Sequence, residues 1–325
     1  MVSFGKKIKY KVSLLIPCYN EQEVLPMLRR ELSAFAVTLS EKGYDHEIIL
    51  VDDGSSDMTW VQIGEWAADD SDHVIGIELS RNFGHQMALT CAYEIAAGDV
   101  CVSIDADLQD PLEVIFEMLE KHEAGADIVL GVRRSREAET FFKLTTAKLY
   151  YKALHMLGLK FIEKDCGDFR LMNRRGVKAL LSMRERNRML RAMVCWTGFK
   201  VDKVYFDRRA RAAGETKYPL RKMMLLAMDG VISFSTLPLR FAYWFASVIG
   251  LIIMGYLAYT LMKYLFFNGR LVDGWTSIIL AVCAFGFVNL FCIGLIGEYV
   301  GRIYDEVKKR PLYFVRTNTR DKNEY

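Results

Sequence analysis

Five short apolar runs alternate with four segments of helical spacing over the first 131 residues, and this alternation limits the possible folds more than any other feature. The runs are 12–16, 47–51, 74–79, 100–104 and 127–131. Each is short and bounded by turn residues, as a buried strand is. Helical spacing follows at 22–42 (Val24, Leu25, Leu28, Leu32, Phe35), through Trp60 and Trp66, at 85–97, and at 111–123, where Pro111 suits a first helical turn. Such alternation predicts an α/β fold: a mostly parallel sheet with helices on both faces. Ligands of these sheets sit beyond the carboxyl ends of the strands. Polar clusters follow the first, second and fourth runs, so three separated segments are expected to converge on one cleft.

The later sequence changes character. Residues 241–262 and 275–297 carry no formal charge, and a short loop, 268–274, joins them. A helix needs about 20 apolar residues to cross the hydrocarbon core, so a two-helix transmembrane hairpin is expected, spanning about 241–265 and 275–297. Two buried soluble helices of that length would need a large core of their own. Arg221, Lys222 and Arg240 precede the first run, and Arg302, Lys308, Lys309 and Arg310 follow the second. The loop holds only Arg270, balanced by Asp273. Positive flanks favour the cytoplasmic side. The expected topology is therefore multi-pass in the inner (plasma) membrane, with a catalytic domain at 1–217, a juxtamembrane amphipathic helix at 218–240, and a tail at 298–325. Both termini are then cytoplasmic. Residues 141–160 also read as an amphipathic helix, either packed on the core or lying on a membrane surface.

Chemistry concentrates at the run ends. Asp105-Ala106-Asp107-Leu108-Gln109 places two carboxylates one residue apart just past a buried strand, a donor set suited to Mg²⁺ or Mn²⁺ shared with substrate phosphates. Asp52-Asp53-Gly54-Ser55-Ser56-Asp57 reads either as an acidic turn in which Asp57 caps the next helix, or as a site where Asp52 and Asp53 meet a nucleotide. Pro17-Cys18-Tyr19-Asn20-Glu21 could set Tyr19 against a base and Glu21 on a ribose. His85 reads as a helix-start residue. The seven cysteines form no CxxC pair, which argues against a disulfide framework or zinc site. A net charge of +3 gives no case for nucleic acid. No HExxH, GxSxG or GxxxxGK[ST] motif occurs.

Taken together, these clusters resemble glycosyltransferase family two with a GT-A (Rossmann-like) fold. Cys166-Gly167-Asp168-Phe169-Arg170-Leu171, Gly214-Glu215-Thr216-Lys217-Tyr218 and Gly297-Glu298-Tyr299-Val300-Gly301-Arg302 narrow the resemblance to the polyprenyl-phosphate glycosyltransferases. That group includes dolichol-phosphate mannose synthases and bactoprenol glucosyltransferases of the GtrB type. The resemblance implies inverting transfer of a hexose from a nucleotide-sugar to polyprenyl (undecaprenyl) phosphate. UDP-glucose is the first choice of donor, with GDP-mannose and modified arabinose donors as alternatives. A catalytically inactive nucleotide-sugar-binding scaffold is the rival from another class. Pro17, Tyr19, Asn20, Glu21, Asp52, Asp53, Asp105 and Ala106 would then hold the donor. Asp105, Asp107 and Gln109 would hold the metal and diphosphate. Arg133 would meet the acceptor phosphate, Arg211 and Lys217 would close over the anions, and Asp168 matches the catalytic position. The implied partners are the donor, the lipid acceptor, the bilayer and further copies of the chain, a tetramer among the options. A phosphate monoester has a second pKa near 6 and is largely anionic at neutral pH, so Asp168 is expected to position groups and not to act as a base.

Overall fold

The computed structural model describes residues 9–134, 166–207, 237–267 and 274–321. These fall into two compact units. The first holds 9–134, 166–207 and 310–321; the second holds 237–267 and 274–309. The predicted helices at 141–160 and 218–235, and also Arg211 and Lys217, lie outside the described residues.

In the first unit the expected alternation is present. The elements are β1 (Lys11–Cys18), α1 (Leu25–Glu41), β2 (Asp45–Asp52), α2 (Thr59–Asp69), β3 (Val74–Leu79), α3 (His85–Ile95), β4 (Val100–Ser103), α4 (Val114–Glu123) and β5 (Ile128–Arg133). There follow β6 (Cys166–Asn173), α5 (Arg174–Ser182), α6 (Leu190–Trp196) and β7 (Val201–Phe206), and a last strand, β8 (Val315–Asn318), closes the unit. The eight strands form one sheet in the order β7-β5-β6-β4-β1-β2-β3-β8. The pairs β1–β2, β1–β4, β2–β3 and β5–β7 are parallel; β6 and β8 are antiparallel to their neighbours.

Alternate β1 residues Val12, Leu14 and Ile16 pack with Leu28, Leu32 and Phe35 of α1 and with Ile115, Met118 and Leu119 of α4. Each such side chain contributes roughly 1.5–3 kcal/mol by leaving water. α3 packs against β1 and β2 through buried Ala88, Leu89 and Ala92. The helical spacing read at 22–42 therefore marks a face that is buried. At α5, the Asn173 side chain accepts from the Gly176 N–H at 2.9 Å and caps the helix.

β8 lies in the segment read from sequence as a tail. It covers the open edge of β3, where exposed backbone groups would otherwise invite pairing with another chain. Polar contacts hold it there. Arg316 Nη1 lies 2.9 Å from Glu78 Oε1, and Thr317 Oγ1 donates to Glu78 Oε2 at 2.9 Å. Farther along, Arg320 meets Glu47 at 3.2 Å. Glu47 is fully buried and joins several parts of the unit. It accepts from Ser13 Oγ at 2.7 Å and Ala97 N at 2.6 Å, and pairs with Lys11 at 3.0 Å.

The second unit contains α7 (Leu237–Phe267) and α8 (Trp275–Val307), which touch each other. Phe245, Leu251, Ile252, Phe285, Leu290 and Phe291 are exposed in the isolated chain. Soluble monomers rarely show so much contiguous apolar surface. Two spans were expected. Among the described residues one stretch, Ala284–Val307, is long and apolar enough to cross a membrane, with a mean hydropathy of 1.5.

Glu47 gives a stability test. Burial raises its pKa, but Ser13, Ala97 and Lys11 more than offset that and hold it below the ordinary glutamate value. The contribution is thus present above that value and is lost as pH falls through the lower, folded value. Glu47→Gln replaces hydrogen bonds to a charged group by neutral ones and should cost about 2 kcal/mol at neutral pH, and denaturant titrations should show the gap to wild type closing as pH falls below the ordinary glutamate value. A gap independent of pH would contradict this account.

Candidate active site

The site begins with the reversed strand. β4 and β6 pair as Val100↔Asn173, Cys101↔Met172, Val102↔Leu171 and Ser103↔Arg170. Continuing this register two residues past Ser103 sets Asp105 opposite Asp168. Because β6 runs antiparallel, its beginning lies at the edge where β1, β2, β4 and β5 end. The β5–β6 register shifts between Leu130 and Val132, so β6 bulges where Gly167 and Asp168 sit. Bulges commonly re-aim side chains beside active sites. Gly131 makes room for this one, since a Cβ there would come within 2.8 Å of the Phe169 ring.

Asp168 is held from several sides. The buried Arg170 guanidinium forms an ion pair with it. Gln86 Nε2 donates to Asp168 Oδ2 at 3.1 Å, and His85 Nε2 lies 3.3 Å from the same oxygen. His85 Nε2 is also 3.8 Å from Asp105 Oδ1, so its ring bridges the two carboxylates. The Asp168 carbonyl accepts from Ser103 Oγ and from Arg170 Nε, the latter at 3.2 Å. Burial opposes ionisation of Asp168, but Arg170 and then His85 outweigh it and hold the carboxyl well below the usual carboxylate range. Asp168 is therefore a fixed negative charge and a weak proton acceptor.

His85 is the first residue of α3, as its sequence position suggested, and it also faces Asp168. Gln86 was not singled out from sequence. Its Oε1 accepts from Leu190 N at 3.0 Å, which ties α3 to α6. The available signal was the polar loop after β3, which ends at the same edge as the other three.

The loops after β1 and β2 are stitched together. Asn20, in the left-handed region at φ 53°, accepts from Ser56 N at 2.9 Å, and its own N–H meets Ser55 Oγ at 2.9 Å. Glu21 N donates to Thr59 Oγ1 at 2.8 Å. Asp57 accepts from Thr59 N at 3.0 Å and from Gln22 N at 3.3 Å, which serves both the turn before α2 and the neighbouring loop. Tyr19 is exposed and Pro17 buried. Asp52 and Asp53 are both buried. Asp52 accepts from Ser55, and Asp53 takes the N–H groups of Phe83 and Gly84 at 2.7 and 2.8 Å. Burial pushes both carboxyls above the ordinary aspartate value, against these hydrogen bonds. Gly54, at φ 68°, has no space for a Cβ, which would come within 2.4 Å of the Arg81 backbone.

Asp105 and Asp107 are partly exposed on either side of the inward-facing Ala106. Leu108 turns at φ 56°, an uncommon conformation for a side chain of its type, and Gln109 N returns to Asp107 Oδ1 at 3.1 Å. Two partly exposed carboxylates on one tight turn fit a hard, oxygen-preferring cation. Arg133 ends β5 beside Gly167. Another group close enough for one ion, Asp45, His46 and His73, has ligand atoms within 4.8 Å. It lies at the amino ends of β2 and β3, away from this edge. The two rings stack at 4.6 Å and 11°, which keeps their in-plane lone pairs from converging. Cys18, Cys91, Cys101, Cys166, Cys195 and Cys292 are free thiols.

The Glycosyl transferase family 2 model matches residues 13–181, the segment that builds this edge. An uncharacterized glycosyltransferase of Bacillus subtilis, YkcC, is 41% identical over 96% of this chain and 94% of its own length. The prophage bactoprenol glucosyl transferase homolog of Escherichia coli is 38% identical over 94% of this chain and 98% of its own. The bactoprenol glucosyl transferase of Shigella phage SfII is 38% identical over 95% and 99%. Among solved structures, mannosyl-3-phosphoglycerate synthase from Rubrobacter xylanophilus is similar with a TM-score of 0.44, at 17% identity, over 68% of this chain and 72% of that one. The edge thus belongs to a sugar-transferring enzyme with a GT-A-like sheet. This chain is a member of glycosyl transferase family 2.

Replacing Gln86 by Met removes a hydrogen bond to a charged group, worth about 1.5–3 kcal/mol. Turnover in a sugar-transfer assay should fall roughly 10- to 100-fold with the fold intact by circular dichroism. An unchanged rate would remove Gln86 from the site.

Proposed function

We propose that this enzyme transfers a hexose, with inversion, from a nucleotide-sugar to a polyprenyl phosphate at the cytoplasmic face of a membrane, with UDP-glucose as donor. One observation carries this reading: the β4–β6 register brings Asp168 opposite Asp105, with His85 near both carboxylates, at the sheet edge where the loops after β1 and β2 also lie. The names of the relatives, bactoprenol glucosyl transferase, support the lipid acceptor and the glucose. The exposed apolar residues of α7 and α8 support a bilayer partner. The lysine and arginine flanks favour a catalytic domain and termini on the cytoplasmic side.

In this reading the loops around Tyr19, Glu21, Asp52 and Asp53 receive the nucleoside, and Asp105, Asp107 and Gln109 hold Mg²⁺ or Mn²⁺. Held there, such an ion would supply positive charge to offset that of the departing diphosphate. An acceptor phosphate oxygen forms the new bond to the anomeric carbon while the bond to the nucleoside diphosphate breaks. The acceptor arrives ionised, so no proton need be removed. Asp168 fixes the orientation of His85 and Gln86 and contributes a negative field beside the sugar, where positive charge develops. Arg133 offsets part of the repulsion between two anionic substrates. A lipid-anchored acceptor leaves only its phosphate head to enter the cleft, which suits an enzyme held at the interface.

Two measurements test this. Purified enzyme with UDP-glucose, a short-chain polyprenyl phosphate and Mn²⁺ should release UDP and yield a glycosylated lipid by mass spectrometry. Chelator or Asp107→Ala should abolish both. Full activity after either treatment would defeat the proposal. For Asp168→Asn, the loss should be about 100-fold or more and nearly flat across the second pKa of the acceptor, about pH 6. A loss that shrinks as the acceptor ionises would instead identify Asp168 as a general base.

A further inference from the structure

The segment that leads into β8 also grips the loop between β3 and α3, far away in sequence. Tyr313 forms a hydrogen bond with Glu94 on α3. Ser80 is then clasped at both of its backbone groups. Its N–H donates to the Phe314 carbonyl at 2.9 Å, and its carbonyl accepts from Arg316 Nη2 at 2.8 Å. Arg316 is itself aimed by Glu78, 2.9 Å from its other terminal nitrogen. The Phe314 ring lies 6.3 Å from the ring of Phe83, over which the Arg81 guanidinium sits at 4.3 Å. The loop held in this way, 80–84, leads directly into His85 and Gln86. Those two residues lie 3.3 and 3.1 Å from Asp168 Oδ2. Gly84 turns the chain at φ 99° just before them, and among the described residues no side chain caps α3.

We infer that Phe314 and Arg316 are positioning residues for the sugar transfer: by clasping the 80–84 loop they set the start of α3, so that His85 and Gln86 meet Asp168. A helix start without a cap takes its place from the loop before it. Asp53 fixes the far end of that loop through the Phe83 and Gly84 N–H groups. One fixed end leaves a pivot; the Ser80 clasp supplies the second point that defines a direction. The gain is in rate, because a misplacement of about 1 Å near a reacting centre can cost on the order of 100-fold. Phe314 is 56% exposed, so its ring adds little to the core and its effect on rate is separable from stability. The inference rests on the proposed function in taking His85, Gln86 and Asp168 to lie at the reacting centre.

The test compares wild type, Phe314→Ala, Phe314→Tyr, Arg316→Ala and Arg320→Ala, assayed with UDP-glucose, a short-chain polyprenyl phosphate and Mn²⁺. In Phe314→Ala and Arg316→Ala, kcat should fall about 3- to 10-fold, with the donor KM within about two-fold. Phe314→Tyr keeps the ring and should keep the rate. Arg320→Ala loosens the same segment at Glu47, away from the loop; it should lower the denaturant midpoint and leave kcat within about two-fold. Hydrogen exchange gives a readout apart from turnover. The Phe83 and Gly84 amides should exchange faster in Phe314→Ala than in wild type, and at the wild-type rate in Arg320→Ala. Unchanged kcat and unchanged exchange in Phe314→Ala and Arg316→Ala would overturn the inference. So would an equal fall of kcat in Arg320→Ala, which would reduce the segment to a stabilising role, or a rise in donor KM with kcat intact. If wild type transfers no glucose to the lipid, the proposed reaction falls, and the exchange comparison still decides whether the clasp holds the loop.

Discussion

A buried ion pair inside a reversed strand organises this site. Asp168 and Arg170 lie two residues apart on β6, the strand that runs against its parallel neighbours β4 and β5. A charged pair in the middle of a sheet is expensive to desolvate and gains little stability over apolar residues of similar size. Here its value is positional. Reversal brings the start of β6 to the edge where parallel strands end, and the bulge beside Gly131 turns Asp168 toward His85 and Gln86. Arg170 keeps that carboxylate ionised within a hydrophobic surround.

The same pair explains what sequence patterning could and could not reveal. β1 to β5 were legible because parallel strands buried on both faces read as continuous apolar runs, as Val74 to Leu79 do. β6 was not, because Gly167, Asp168 and Arg170 interrupt such a run; only resemblance to a family pointed there. β7 (Val201–Phe206) was hidden by Asp202 and Lys203 at its half-exposed start. β8 was hidden by its shortness, and its place depends on Glu78 and Glu47, more than two hundred residues earlier. At the site, Asp105 and Asp168 were singled out in separate motifs, and His85 Nε2 lies 3.8 and 3.3 Å from their carboxylates. Asp52 and Asp53 proved to spend hydrogen bonds on loop backbone, a use invisible without coordinates. Gln86 was missed because a glutamine in a helix's first turn has no distinctive pattern.

The unit that carries α7 and α8 has a different logic. Its apolar side chains face outward in the isolated chain, which fits a lipid surround better than water. The chain then returns to the first unit, where β8 seals the edge of β3. The carboxyl end is thereby part of the catalytic sheet, and Phe314 packs at 6.3 Å against Phe83, in the loop that Asp53 also holds.

Where a divalent cation sits decides which end of the sheet carries the chemistry. Anomalous diffraction at the manganese edge, from crystals grown with Mn²⁺ and UDP, would locate it directly. A peak bounded by Asp105 and Asp107, facing the Asp168 strand, is the predicted result. A peak at Asp45, His46 and His73 with none at Asp107 would contradict the account.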